Sequence, residues 1–236
     1  MISTSTVSST GPSTTLSEAS IRKEKILTGF ARISQFCVWP FLFVIFHTAF
    51  KIDFSGRENL KKIKAPFVII ANHISFYDSF LFRIAFGAFT PHLPLRFMAV
   101  KIFDWRFLQI LSSLGVVDLV YGLFGVFTVV LGQGIAKGLE TAIIIVRCGG
   151  NVVIYPEGSI NKSGVVGTFK NGAAVLAKQT NTPVLPVSFR FGGRGLVRKN
   201  LIINIGEPIY ASTDKTDIEN TAFFRAKIEE LYRKMA

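Results

Sequence analysis

Short unbroken apolar runs alternate with segments of helical spacing along most of this chain. Phe67–Ala71, Asn151–Tyr155, Pro183–Phe189 and Leu201–Ile205 have the length of strands covered on both faces. Helices are expected around 78–87, over about 134–148, over 170–180 and over 217–234, the last amphipathic with Asp217 as a candidate N-cap. Gly149-Gly150 supplies a stop between the second of these segments and the strand after it. Lys61–Pro66 reads as a basic loop. Strands alternating with helices predict an α/β fold with a mostly parallel central sheet flanked by helices.

The first fifty residues break this rhythm. Residues 1–20 hold twelve Ser or Thr and one charge, Glu18, the composition of a disordered tail. A plastid transit peptide is also Ser-rich and poor in acid, but this stretch is short and lacks Arg. Residues 21–54 read as a helical segment. Arg22, Lys23 and Lys25 open it, and Phe36–Phe46 is wholly apolar, with Trp39 and Pro40 inside. A bilayer span needs about 20 apolar residues, so this run is short for one, and Pro40 would kink it. Two readings stand: a membrane-embedded or interfacial element, and a buried core helix. The absence of a polar face between Phe36 and Phe46 favours the first. Residues 119–131 (LVYGLFGVFTVVL) are a second uncharged stretch, facing membrane, substrate or core.

Composition narrows the partners. The 236 residues are 49% hydrophobic and 18% charged, with 23 Phe and a formal net charge of +12, and the mean hydropathy is +0.42. Wholesale disorder is excluded. A basic, Phe-rich chain prefers anionic partners, and its hydropathy favours lipid over nucleic acid, for which no dense Lys/Arg cluster or recognition motif is present. Nucleic acid is not expected as a partner. Cys37 and Cys148 are far apart in apolar surroundings and read as free thiols.

Candidate chemistry sits where strands end, the usual place for ligands in α/β sheets. Asn72-His73-Ile74-Ser75-Phe76-Tyr77-Asp78 follows the first strand. A neutral imidazole takes a proton from a hydroxyl near neutral pH, and a carboxylate fixes its tautomer. Tyr155-Pro156-Glu157-Gly158-Ser159 follows another strand and offers an acid and a hydroxyl to a polar substrate. Phe169-Lys170-Asn171-Gly172 places a cation nearby in sequence, and Thr182–Val187 is a strand entry with rigid prolines. Taken singly, each block also fits an ordinary turn, cap or strand start.

Their order is more telling. The sequence resembles the glycerolipid acyltransferase family, typified by 1-acyl-sn-glycerol-3-phosphate (lysophosphatidic acid) acyltransferases. His73…Asp78 matches that family's HxxxxD block, Tyr155–Ser159 its [FY]PEG[TS] block, Phe169–Gly172 its FKxG element and Thr182–Pro186 its VPVxP-like block; Ile205–Ile209 is a family-like IGEPI. The resemblance covers about residues 55–210. It implies an acyltransferase domain over 55–236, preceded by a membrane-docking helical element. It implies His73 as general base with Asp78, acting on the hydroxyl of a membrane lipid. By default that lipid is 1-acyl-sn-glycerol-3-phosphate, giving phosphatidic acid. The acyl donor would be acyl-CoA or acyl-carrier protein, with no metal or prosthetic group. The active site would face the cytoplasm. Asn72, Ser75, Glu157, Gly158 and Ser159 would bind substrate.

Two positions depart from the family pattern. Tyr121, six residues after Gly115, stands where the family usually has an Arg for the acceptor phosphate, and Ile160 stands where a second Arg is common. Tyr carries no charge and does not replace a bidentate Arg. Lys101, Lys162 or Lys170 would have to substitute, or the acceptor is another lysophospholipid or lipid hydroxyl. A non-catalytic lipid- or carrier-binding protein and a hydrolase are the competing readings.

Overall fold

The computed structural model describes residues 17–100, 106–129, 134–194 and 198–235. Residues 1–16 of the expected tail, and Lys101 among the expected site residues, lie outside the described residues. The described chain forms one seven-stranded sheet with helices on both faces, in the order β1-β7-β6-β2-β5-β3-β4.

The unbroken apolar runs become its centre. β2 (Val68–Ala71) and β5 (Asn151–Ile154) are buried at every position and pair in parallel. Successive side chains of a strand point to opposite faces. Phe67, Ile69 and Ala71 therefore pack under α2 (Asp78–Phe86), with Leu81 and Phe82. Val68 and Ile70 pack on the other side, under α5 (Gly134–Arg147), α6 (Gly172–Thr180) and α7 (Asp217–Arg233). β6 (Val184–Arg194) also runs parallel to β2, with Val187 opposite Ala71, so its later residues extend past the end of β2. β7 (Lys199–Ile205) returns antiparallel to β6, and β1 (Phe50–Ser55) closes the edge in parallel with β7. The mostly parallel α/β sheet is as the pattern predicts.

Three strands were not legible. β1 alternates half-buried and exposed residues at a sheet edge. The helical segment therefore ends at Ala49, and the expected boundary after residue 54 would cut through β1. β3 (Leu95–Val100) carries a buried Arg96. β4 (Val126–Val129) lies inside the second apolar stretch, which α4 (Val116–Leu123) opens. Gly125 divides the two elements at φ 83°, and a Cβ there would meet the Leu95 carbonyl oxygen at 2.6 Å. The basic loop is in part a 3₁₀ turn, Arg57–Lys62. The cap of α7 is Thr216 rather than Asp217: its hydroxyl accepts the Glu219 N–H at 3.2 Å, and Glu219 accepts the Thr216 N–H at 2.7 Å.

α1 (Glu18–Ala49) is a single helix of 32 residues that continues through Pro40. The short apolar run is thus part of an element long and apolar enough, by length and composition, to cross a membrane. Its first half is fastened to the sheet by polar groups. Glu24 pairs with Arg96, Arg32 donates to the Leu93 carbonyl at 2.7 Å, and Gln35 bonds both backbone groups of Leu95, at 2.7 and 3.0 Å. Arg83 of α2 donates to the Gln35 carbonyl at 2.8 Å. Burial pulls that guanidinium down to about 10. Beyond Gln35, Phe36, Phe41, Phe43, Val44 and Ile45 are exposed.

Candidate active site

β2 delivers His73 to the carboxyl end of the sheet, and Asn72 fixes the exit. The Asn72 amide donates to the Phe189 carbonyl and accepts the Phe189 N–H, both at 2.8 Å, as a further β residue would. Asn72 is buried. Its side chain, expected to bind substrate, forms a clamp that ties the end of β2 to β6.

The loop 74–77 then wraps the carboxylate that opens α2. Oδ2 of Asp78 accepts the backbone N–H of Ile74 (2.7 Å) and of Ser75 (3.0 Å), and Oδ1 accepts the Ser75 hydroxyl (2.6 Å). His73 Nδ1 lies 2.8 Å from the same Oδ2. An oxygen that already accepts two N–H bonds has no proton to offer the ring, so Nδ1 donates and Nε2 is the basic nitrogen. This explains the spacing of five: the loop folds back so that the first helical residue meets the imidazole. Asp78 is fully buried, while a fifth of the His73 side chain is exposed.

β5 lies beside β2 with Ile154 opposite Ile70, which puts Tyr155 level with Ala71, two residues before His73. The two rings stack at 4.2 Å and 17°. The Tyr155 hydroxyl lies 3.3 Å from the Ser79 hydroxyl. Burial and the neighbouring Asp78 charge push the phenol well above its ordinary value, so it stays protonated. Composition gave no signal for this pairing; only the strand register reveals it.

The turn after β5 completes the site. Glu157 accepts the His73 N–H through Oε1 at 3.4 Å, and its Oε2 is buried without a hydrogen-bond partner. A Cβ at Gly167 would come within 2.8 Å of that oxygen. Gly158 has φ 73°, and a Cβ on it would meet Lys170 Nζ at 2.7 Å, so the Lys170 ammonium lies against this turn. Ser159 is exposed beside them. The Asn161 N–H donates to the His73 carbonyl at 2.6 Å and draws the following loop inward. Lys162, Ser75 and Tyr77 line an open groove of about 560 Å³. Among the described residues, no group of three or more His, Cys, Asp or Glu side chains is arranged to hold a metal.

A second cavity lies on the α1 side. It holds about 250 Å³ and is apolar, lined by Val38, Leu42, Phe80, Phe97 and Tyr121, among others. Ser79 lines it too, which connects it through Tyr155 to His73. Tyr121 thus faces an apolar space where the family pattern has a cation. The structure brings His73, Ser75, Asp78, Glu157, Gly158 and Lys170 to one end of the sheet.

A family model described as Acyltransferase matches residues 51–190. The 1-acyl-sn-glycerol-3-phosphate acyltransferase of Borreliella burgdorferi is 30% identical over 164 residues, 68% of this chain and 59% of its own length. The chloroplastic enzyme of that name from Brassica napus, BAT2, is 26% identical over 171 residues, 69% of this chain and 46% of its own. The chain thus spans about half the length of the curated relatives it matches. The crystal structure of the 1-acyl-sn-glycerophosphate acyltransferase PlsC from Thermotoga maritima superposes with a TM-score of 0.60 at 19% identity, over 94% of this chain and 84% of that one. That likeness is one of fold.

Proposed function

Because the chain belongs to the acyltransferase family, we propose that it moves a fatty acyl group from a thioester of CoA or acyl-carrier protein to the hydroxyl of a lysolipid. The default acceptor is 1-acyl-sn-glycerol-3-phosphate, the substrate in the names of its relatives. The observation that carries the reading is the His73–Asp78 pair, 2.8 Å apart at the end of β2 with Nε2 directed away from the carboxylate.

His73 Nε2 takes the proton of the acceptor hydroxyl as its oxygen bonds to the thioester carbon. Asp78 holds the Nδ1 tautomer and stabilises the imidazolium. The tetrahedral intermediate collapses, the carbon–sulfur bond breaks, and the departing thiolate receives the proton from His73. The unpartnered Glu157 oxygen would accept a hydroxyl of the acceptor, and the apolar cavity would seat the acyl chain. Expulsion of water from that cavity supplies roughly 0.8 kcal/mol per buried methylene.

The exposed apolar residues of α1 and α4 would lie in the bilayer surface, with the active site on the cytoplasmic side. Tyr121 in an apolar cavity favours a second reading, another lysophospholipid as acceptor.

The test is acyl transfer by the detergent-solubilised full chain from labelled acyl-CoA and acyl-carrier protein. The acceptors would be lysophosphatidic acid, several other lysophospholipids, glycerol-3-phosphate, or none. Transfer reduced about 10²–10⁴-fold by His73→Ala is expected. Free fatty acid formed equally with and without acceptor would replace transferase by hydrolase. Lipid binding without transfer from either donor would leave a lipid carrier.

A further inference from the structure

The turn that carries Glu157 opens a loop, and the side chain that fastens this loop lies on the last helix. From Glu157 to Lys170 the chain leaves the sheet and returns, and the Lys170 N–H closes the excursion on the Pro156 carbonyl at 2.8 Å. A compact surface loop of this kind has no strand ladder to hold it. Part of it is held from within: Asn161 accepts the Ser163 N–H and donates to the Val165 carbonyl, both at 2.9 Å. Val166 is buried in one hydrophobic cluster with Phe224 and Ile228 of α7. Arg225, between those two residues on the same helix, supplies the polar fastening. Its Nε–H donates to the Gly167 carbonyl at 2.8 Å, and its Nη2 to the Val166 carbonyl at 3.2 Å. Glu229, one turn further on, pairs with Nη2 at 2.6 Å and fixes the planar fork.

The loop braces the candidate active site at two points. The Asn161 N–H donates to the His73 carbonyl at 2.6 Å. Gly167 lies over Glu157, so close that a Cβ would come within 2.8 Å of Oε2. The same Gly167 peptide therefore takes the Arg225 bond on its carbonyl and covers the unpartnered Glu157 oxygen with its α-carbon. Arg225 is 58 residues further along the chain, beyond the matched residues 51–190. A carboxylate oxygen already stripped of water by folding takes a hydroxyl without first shedding a hydration shell. With the loop released, water reaches Oε2 and the incoming hydroxyl must displace it. We infer that Arg225, braced by Glu229, is a positioning residue for the acceptor: it holds residues 161–167 down on Glu157 and His73 and so sets the affinity for the lysolipid hydroxyl. This deepens the acyltransferase reading and rests on it for the identity of the acceptor.

The experiment compares the detergent-solubilised full chain with Arg225→Ala, Arg225→Lys, Glu157→Ala and Arg225→Ala/Glu157→Ala. Circular dichroism melts confirm folding, and Arg225→Lys, which keeps the charge, serves if Arg225→Ala does not fold. Hydrogen exchange follows peptides over 158–168, calorimetry follows lysophosphatidic acid and lysophosphatidylcholine, and KM and kcat are measured in parallel. In Arg225→Ala the loop should exchange about tenfold faster while β2 and β5 keep their protection. Acceptor affinity should weaken about tenfold and acceptor KM rise to match, with kcat falling less than about threefold and the acyl-CoA KM unmoved. Arg225→Lys should fall between. Added to Glu157→Ala, Arg225→Ala should cost the acceptor little more, because both act on one contact. Faster exchange with unchanged acceptor affinity would make Arg225 a purely structural tie and overturn the proposal. Additive losses, unchanged exchange, or binding of neither lipid by wild type would overturn it as well. Acceptor binding that depends on Arg225, without transfer from either donor, would uphold the positioning role and sink the reaction. Transfer with an acceptor KM indifferent to Arg225 would do the reverse.

Discussion

Asp78 does two jobs that one substitution can separate. It closes the loop 74–77 by accepting backbone and hydroxyl protons, and it faces His73 Nδ1 with a charge. In Asp78→Asn the amide oxygen can keep the three N–H bonds while the NH₂ donates to the Ser75 hydroxyl. The loop then survives and only the charge is lost. We expect kcat to fall about 10²-fold, a cost near 2.7 kcal/mol, with an unchanged melting temperature. Asp78→Ala should lose more of both. Tyr155 gives a second test. Its ring lies flat on His73, so the imidazolium of the proposed mechanism would gain a cation–π contact worth about 0.5–2 kcal/mol. Tyr155→Leu should lower kcat roughly two- to thirtyfold with little change in acceptor KM, and Tyr155→Phe should stay near wild type. His73, Asp78 and Glu157 were readable because each lies in a contiguous block. The stack was not, because it depends on β2 and β5 lying side by side in register. The clamp made by Asn72 was not readable either, because a polar residue beside a candidate base looks like a substrate contact until its partner strand is known.

Elements were legible where burial is two-sided. β2, β5 and the buried part of β6 read as strands because no position on them meets water, and the amphipathic helices showed their period. β3 was lost because Arg96 is its second residue, and a charged residue reads as surface unless its partner is known. That partner, Glu24, is 72 residues away on α1. Removing one half of such a pair strands a buried charge. Glu24→Ala should therefore destabilise the fold by about 3–5 kcal/mol in urea unfolding, and Glu24→Gln by less. Just before β3, His92 offers a check by pH. Its Nε2 donates to the Leu60 carbonyl at 2.9 Å, and its ring is edge-on to Phe67 and Phe86. Burial holds its pKa below the ordinary 6.5. The unfolded chain thus binds this proton first as pH falls. Stability should decline from about pH 6.5 downward through the lowered folded value. His92→Gln should lack that part of the slope.

On the scale of the whole molecule, α1 and α4, which pack together, carry a large share of the exposed apolar side chains. Phe30, Ile33 and Phe41 of α1, Leu119 of α4, and Phe76 and Phe89 are all exposed. Charged substitutions there should change stability by no more than about 0.5 kcal/mol while weakening membrane binding. Phe41→Glu with Leu119→Glu is expected to reduce flotation with anionic lipid vesicles about tenfold or more and leave the melting temperature in place. The run Phe36–Phe46 hinted at this surface, but the part from α4 did not stand out, because an uncharged stretch reads equally as core. α1 also passes into β1 with no linker, Ala49 to Phe50, and its first half is bolted to β3 and α2. An anchor without slack rides its bilayer as a rigid float rather than a tethered balloon. On the proposed function, such a protein would scoot across one vesicle, consuming the lysolipid there before it exchanges. In a suspension with fewer proteins than vesicles, product should accumulate in an early burst confined to the occupied vesicles and then slow to the rate of hopping between them.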